Sequence, residues 1–256
     1  MILGMRLIVF LTFVALVCAA AFACGGSDEE PDVLDAVIVD QLAQTDANPE
    51  FTASVTGTLE GAGYRVDYVS PEQVTVDYYR ELPARGYELI VVRAHSGIVR
   101  EGDGTGDSFL FTTEPYSQQE HVDEQRDRRL IEAALSSDLV DESVPLADLP
   151  RYFGIGPEFI RSSLEGDFDG ALVVVMGCNG LSSNTLAQAF VERGASEVTS
   201  WDGLVSAAHT DAATERLLGL VFEEGMPVEE AVAAVRAELG PDPFYGSSLV
   251  AYAPTE

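Results

Sequence analysis

A thiol and an imidazole are the side chains in this sequence best suited to covalent chemistry, and each follows a short apolar run. Residues 89–92 are apolar and lead through Arg93 and Ala94 to His95, Ser96 and Gly97, while residues 171–176 lead to Gly177, Cys178, Asn179 and Gly180. A thiol attacks a carbonyl as its thiolate, so it needs a base or a lowered pKa. Histidine is the usual base because it exchanges protons near neutral pH. The attacked carbonyl becomes an oxyanion that backbone N–H groups must stabilise. Glycines at 97, 177 and 180 would allow the tight turns that aim such donors. A plainer reading stands beside this one: a cysteine at a strand end is often a small buried hydrophobe, and a histidine a satisfied polar group. Two such residues at the ends of two similar runs are what favours chemistry.

Apolar runs without alternation, rich in valine and bounded by glycine, read as strands buried on both faces. Such strands belong to α/β sheets, where ligands gather beyond the carboxyl ends. The surrounding pattern agrees: strand 36–39, helix 51–60, strand 64–69, a helix from Ser70 through Leu82, then the strand ending at His95. This succession predicts a parallel sheet with right-handed crossovers. Residues 98–170 differ, with a glycine- and aspartate-rich loop at 101–107, a strand at 108–113, a charged amphipathic helix at 123–136 and a short helix at 157–164. After Cys178 come a helix capped at Ser183-Asn184, a strand at 197–200 ending in Trp201-Asp202-Gly203, helices at 211–224 and 227–239, and a last strand at 248–252.

Composition narrows the partners. The chain has 256 residues, 43 acidic against 14 basic, for a net charge of −29, and every basic residue is arginine. So acidic a surface disfavours nucleic acid and anionic membrane faces. Residues 1–23 have a positive Arg6 and an apolar stretch, the form of a secretory signal. The cysteine after small residues resembles a lipoprotein signal, with Cys24 as the lipidated residue; an uncleaved membrane anchor is the alternative. Residues 24–34 form a polar tether, and 35–256 one domain with an insertion at about 98–170. With Cys18 and Cys24 in the leader region, Cys178 has no internal disulfide partner in that domain.

Other reactive groups are weaker. His121 lies in a polar segment read as solvent-exposed, and His209 precedes Thr210 and Asp211, either of which could cap a helix. The three histidines and Cys178 lack close zinc-ligand spacing, and the aspartates of 101–107 lack the remaining ligands of a calcium loop. No metal or cofactor is expected. An open α/β fold binding a small anion or nucleotide would want a glycine-rich phosphate loop after the first strand, which is missing.

A strand ending at His95-Ser96-Gly97 and a later one ending at Gly177-Cys178 resemble the caspase-like cysteine peptidases. That superfamily includes caspases, legumains, gingipains, separases and CHAT domains. The continuation CNGLSSNTLAQAFVERGASEVTSWDGLVSAAHTDAATERLL resembles the CHAT branch most, and the likeness spans about residues 35–253. It implies a three-layer α/β/α caspase-like sandwich with a mainly parallel central sheet. It also implies hydrolysis of a polypeptide substrate by a dyad, with His95 as base and Cys178 as nucleophile. The backbone N–H of Cys178 would contribute to the oxyanion hole, with Ser96 or Gly97 as second donor. Ser96 departs from the family pattern, in which glycine directly follows the histidine. A non-catalytic surface protein that binds a partner is therefore the alternative. Several relatives cleave after basic residues using a pocket carboxylate, for which Asp202 and Asp211, beside Trp201, are the candidates.

Overall fold

The computed structural model describes residues 34–100, 106–135, 145 and 148–254. The leader, Cys18, Cys24, nearly all of the tether and residues 101–105 lie outside them. The described chain is α/β. Strands β1 (Leu34–Asp40), β2 (Tyr64–Val69) and β3 (Leu89–Arg93) open it. The insertion adds β4 (Ser96–Arg100), β5 (Gly106–Pro115), β6 (Leu130–Ala134) and β7 (Arg151–Ile155). Strands β8 (Leu172–Val175), β9 (Glu197–Trp201) and β10 (Leu249–Tyr252) complete it. Six of these form one sheet in the order β10-β9-β8-β3-β1-β2, parallel throughout except for β10.

Burial of both sheet faces explains why the central strands are nearly all valine, isoleucine and leucine. Side chains alternate across a strand, and the two sets meet different partners. Val37, Val39, Ile90, Val92, Val173 and Val175 join a core with α2 (Val76–Glu81), α4 (Pro157–Ser163) and α5 (Thr185–Glu192). Ala36, Ile38, Leu89, Val91, Leu172 and Val174 join a second core with α1 (Pro49–Gly61), α6 (Ala207–Leu218) and α7 (Val228–Leu239). The short helix α3 (Val122–Arg126) belongs to the insertion.

Three expectations change. The helix from Ser70 to Leu82 is interrupted: a 3-10 turn covers Pro71–Gln73, and α2 restarts under a cap from Thr75 Oγ1 to the N–H of Tyr78. Val74 leaves the helix because its carbonyl accepts from Thr113 N on β5. The charged helix expected at 123–136 stops after five residues, Arg128 adopts φ 58°, and residues 130–134 become β6. That strand exists because β7 offers it an antiparallel partner; the insertion is thus a second sheet, ordered β4-β5-β7-β6. Finally, Thr210 and Asp211 lie inside α6 rather than at its start. Among the described residues no helix is long and apolar enough to cross a membrane.

Candidate active site

The site is built at the carboxyl end of the two central strands. Strands β3 and β8 are parallel neighbours, with Val92 paired to Val175. His95 and Cys178 each lie three residues beyond that pair, so strand register brings them to one edge, where neighbouring strands are about 4.8 Å apart. The two following loops touch. Ser96 Oγ donates to the carbonyl of Cys178. A Cβ on Gly177 would run into Ser96 Oγ and lie 2.5 Å from the carbonyl oxygen of Ala94. Gly180 abuts Ser200 Oγ and Gly97 the ring of Phe109 in the same way.

This corrects the expected role of those glycines. None of Gly97, Gly177 and Gly180 adopts a left-handed backbone; they are needed for close approach. The left-handed residue of the cysteine loop is Asn179, at φ 60°, a conformation asparagine tolerates. Its N–H donates to Gly203 O at 2.7 Å, tying the loop to the end of β9. Gly97 and Ser96 are strand residues of β4, paired with Phe109 and Leu110 of β5.

His95 is held on three sides. Its N–H donates to Gln41 Oε1 at 2.8 Å, its carbonyl accepts from Phe111 N at 2.9 Å, and its ring Nε2 lies 2.7 Å from Thr45 Oγ1. The ring nitrogen not engaged by Thr45 is Nδ1. Burial pushes the imidazole pKa down; the Asp46 carboxylate opposes that and Arg93 adds to it. Cys178 Sγ faces Val205, 3.4 Å from its N–H and 3.5 Å from its carbonyl. Burial pushes the thiol pKa up, the Val205 contact opposes this, and Asp242 raises it further. Both shifts favour the neutral forms of the thiol and the imidazole near neutral pH. Among the described residues no hydrogen bond joins the two side chains.

Beneath the histidine lies an ionic cluster that pattern reading missed. Arg93, fully buried, donates from Nε and Nη2 to the two oxygens of Asp211 at 2.8 and 2.9 Å, and from Nη1 to Asp40 Oδ1 and Asp46 O, both at 2.9 Å. Asn48 Nδ2 donates to Asp211 Oδ2 at 2.9 Å, and Tyr68 OH to Asp40 Oδ2 at 3.1 Å. Asp40 and Arg93 are register partners at the ends of β1 and β3. A buried carboxylate requires such pairing. The sequence carried one signal for it: opposite charges directly after the apolar runs 36–39 and 89–92.

The cluster corrects the pocket assignment. Asp211 is matched by Arg93 and is not open to a substrate cation. Trp201 is buried and its indole N–H donates to Thr210 Oγ1 at 2.9 Å, so it is a core residue. Asp202 is exposed and one of its oxygens accepts the N–H of Ser248 at 2.7 Å. His121 is not a free surface group: its Nε2 meets Glu114 Oε1 at 2.7 Å. His209 packs its ring against Trp201 at 5.2 Å. Open depressions of about 520 and 530 Å³ lie elsewhere, one over α1 and Tyr68, the other over Gln44, Glu72 and Glu114. No protein-family model matches the chain, and no curated protein matches its sequence.

Proposed function

We propose that the protein is a cysteine endopeptidase with a three-layer caspase-like fold related to the CHAT domains. The observation that carries this reading is the matched register of His95 and Cys178 on adjacent parallel strands, with their loops tied through Ser96. In the reaction, the Cys178 proton passes to Nδ1 of His95 as Sγ bonds to the substrate carbonyl carbon. Backbone N–H donors at the cysteine loop stabilise the oxyanion. The C–N bond then breaks, and the His95 proton leaves with the amine. Water, giving a proton to the same nitrogen, hydrolyses the thioester and restores the thiol. Because both groups rest neutral, His95 serves as a true general base rather than as half of a preformed ion pair.

The test is alkylation by iodoacetamide near neutral pH, together with cleavage of a mixed peptide library. Cys178 should label faster in the native protein than in His95→Ala, and Cys178→Ala should cleave nothing. Equal labelling would favour the second reading, a non-catalytic surface protein that binds a protein partner. The raised thiol pKa and the hydroxymethyl group of Ser96 between the loops are the features that favour it.

Export with retention at the outer side of the cytoplasmic membrane, through lipid on Cys24, completes the proposal. It rests on the leader sequence alone. Palmitate incorporation that disappears in Cys24→Ser checks it; a membrane-retained Cys24→Ser protein would indicate an uncleaved anchor.

A further inference from the structure

The wall beside Cys178 is made by two loops fastened to each other. Residues 202–206 follow β9, and Val205 holds the thiol. Residues 240–248 precede β10. Asp242 joins them: its Oδ2 accepts from Ser206 N and Oγ at 2.8 and 2.7 Å, and its Oδ1 from Phe244 N and Tyr245 N at 2.9 Å. Ser247 Oγ donates to Leu204 O, and Asp202 accepts from Ser248 N. This bonded pair of loops turns apolar side chains outward. Leu204 is 49% exposed, Phe244 81% and Tyr245 49%. Exposed apolar side chains singly need no explanation; these three matter because the loops that carry them are bonded to each other and one of them contacts the Cys178 thiol.

We propose that Leu204, Phe244 and Tyr245 form a subsite for an aromatic or large aliphatic side chain of a polypeptide substrate, next to the bond that Cys178 attacks. This rests on the peptidase reading, and it replaces the basic preference drawn from sequence. A basic side chain finds no free buried carboxylate here. Asp211 is neutralised by Arg93, Asp202 is exposed, where a pair contributes little, and Asp242 has both oxygens engaged by four donors. An acidic side chain is disfavoured too. Asp242 is buried without a cation partner among the described residues, and its charge already acts on Cys178. An apolar side chain gains from covering Phe244 and Leu204 and meets neither penalty.

The experiment is a fluorogenic peptide series varying the residue before the scissile bond among Phe, Leu, Arg and Asp, run on the native protein, Phe244→Ala and Leu204→Ala. Phe or Leu should exceed Arg in kcat/KM by about tenfold or more, the range that apolar contacts supply, and Phe244→Ala should cut that ratio severalfold. Preference for Arg or Asp, or a ratio unmoved by Phe244→Ala, overturns the subsite. Cleavage of no peptide defeats the peptidase reading instead. The subsite is then decided by fluorescence anisotropy of the same peptides on Cys178→Ala: tighter binding of the Phe peptide, weakened by Phe244→Ala, supports it, and equal binding overturns it. Size-exclusion chromatography covers the remaining occupant: loss of a dimer in Phe244→Ala with unchanged peptide preference would assign the patch to a second copy of the chain and overturn the subsite.

Discussion

Thr45 Oγ1 lies 2.7 Å from Nε2 of His95 and 3.3 Å from the carbonyl oxygen of Leu42. The hydroxyl has one proton and two neighbours able to take it. For Nδ1 to act as base, Nε2 must carry the hydrogen and donate it to Thr45, with the hydroxyl proton turned to Leu42. Nitrogen-15 NMR of the imidazole should therefore show the Nε2–H tautomer. Thr45→Ala should lower kcat by about tenfold with KM little changed, a fraction of what general base catalysis supplies, and Thr45→Ser should restore it. The Nδ1–H tautomer would remove His95 as the base and leave the binding reading.

The pH dependence follows from two shifts of opposite sign. His95 titrates below its ordinary 6.5, so the acid limb of peptide cleavage should fall below that value. Cys178 titrates above its ordinary 9.0, so in His95→Ala alkylation should keep rising past pH 9. Stability carries the same signature. As pH falls through 6.5 the unfolded chain takes up a proton that folded His95 refuses, and stability is lost until the folded pKa is reached. Urea midpoints at pH 8 and pH 5 should differ less in His95→Ala than in the native protein.

Arg93→Ala should unfold the domain at much lower denaturant. Removing the guanidinium leaves Asp40 and Asp211 buried without their cation, which costs about 3–5 kcal/mol. Arg93→Lys should recover only part, because an ammonium cannot match both oxygens of Asp211. Urea titration followed by circular dichroism reads both.

Gly177→Ala should separate the two loops. Its methyl group would displace Ser96 and press on the Ala94 carbonyl, so Cys178 would lose its register with His95. Catalysis and thiol reactivity should drop together, with stability reduced by about 1–3 kcal/mol for overpacking. Ser96→Ala removes only the bond to the Cys178 carbonyl, about 1 kcal/mol, and its melting temperature should fall far less.

The central strands were legible because burial on both faces leaves no room for polar residues in 36–39, 89–92 or 172–175. The pairing of β3 with β8 was an inference from pattern that the register bears out, and it sets His95 and Cys178 at the ends of neighbouring strands. The insertion was less legible. Residues 130–134 satisfy a helical pattern locally, and only β7, distant in sequence, makes them a strand. Thr45 and Asp242 escaped for a related reason: each acts on partners far along the chain, and a polar residue in a loop carries no periodic signal. Arg93 closes β3, but its partners Asp211 and Asp40 are brought to it only by the fold. Asp211 misled because its carboxylate looked available until Arg93 was placed beneath it.

The bonds that assemble this site span 50 residues from Thr45 to His95, 82 from Ser96 to Cys178 and 118 from Arg93 to Asp211. Contacts so distant pay their loop-closure cost before they return anything, so they form late in folding. A chain emerging from synthesis has displayed His95 long before Cys178 exists, and its aspartate at 211 later still. Until β3, β8 and α6 have met, the thiol has no base beside it. If the protein is the peptidase proposed above, completion of the fold is the event that arms the pair, and a chain still unfolded cannot turn on its neighbours.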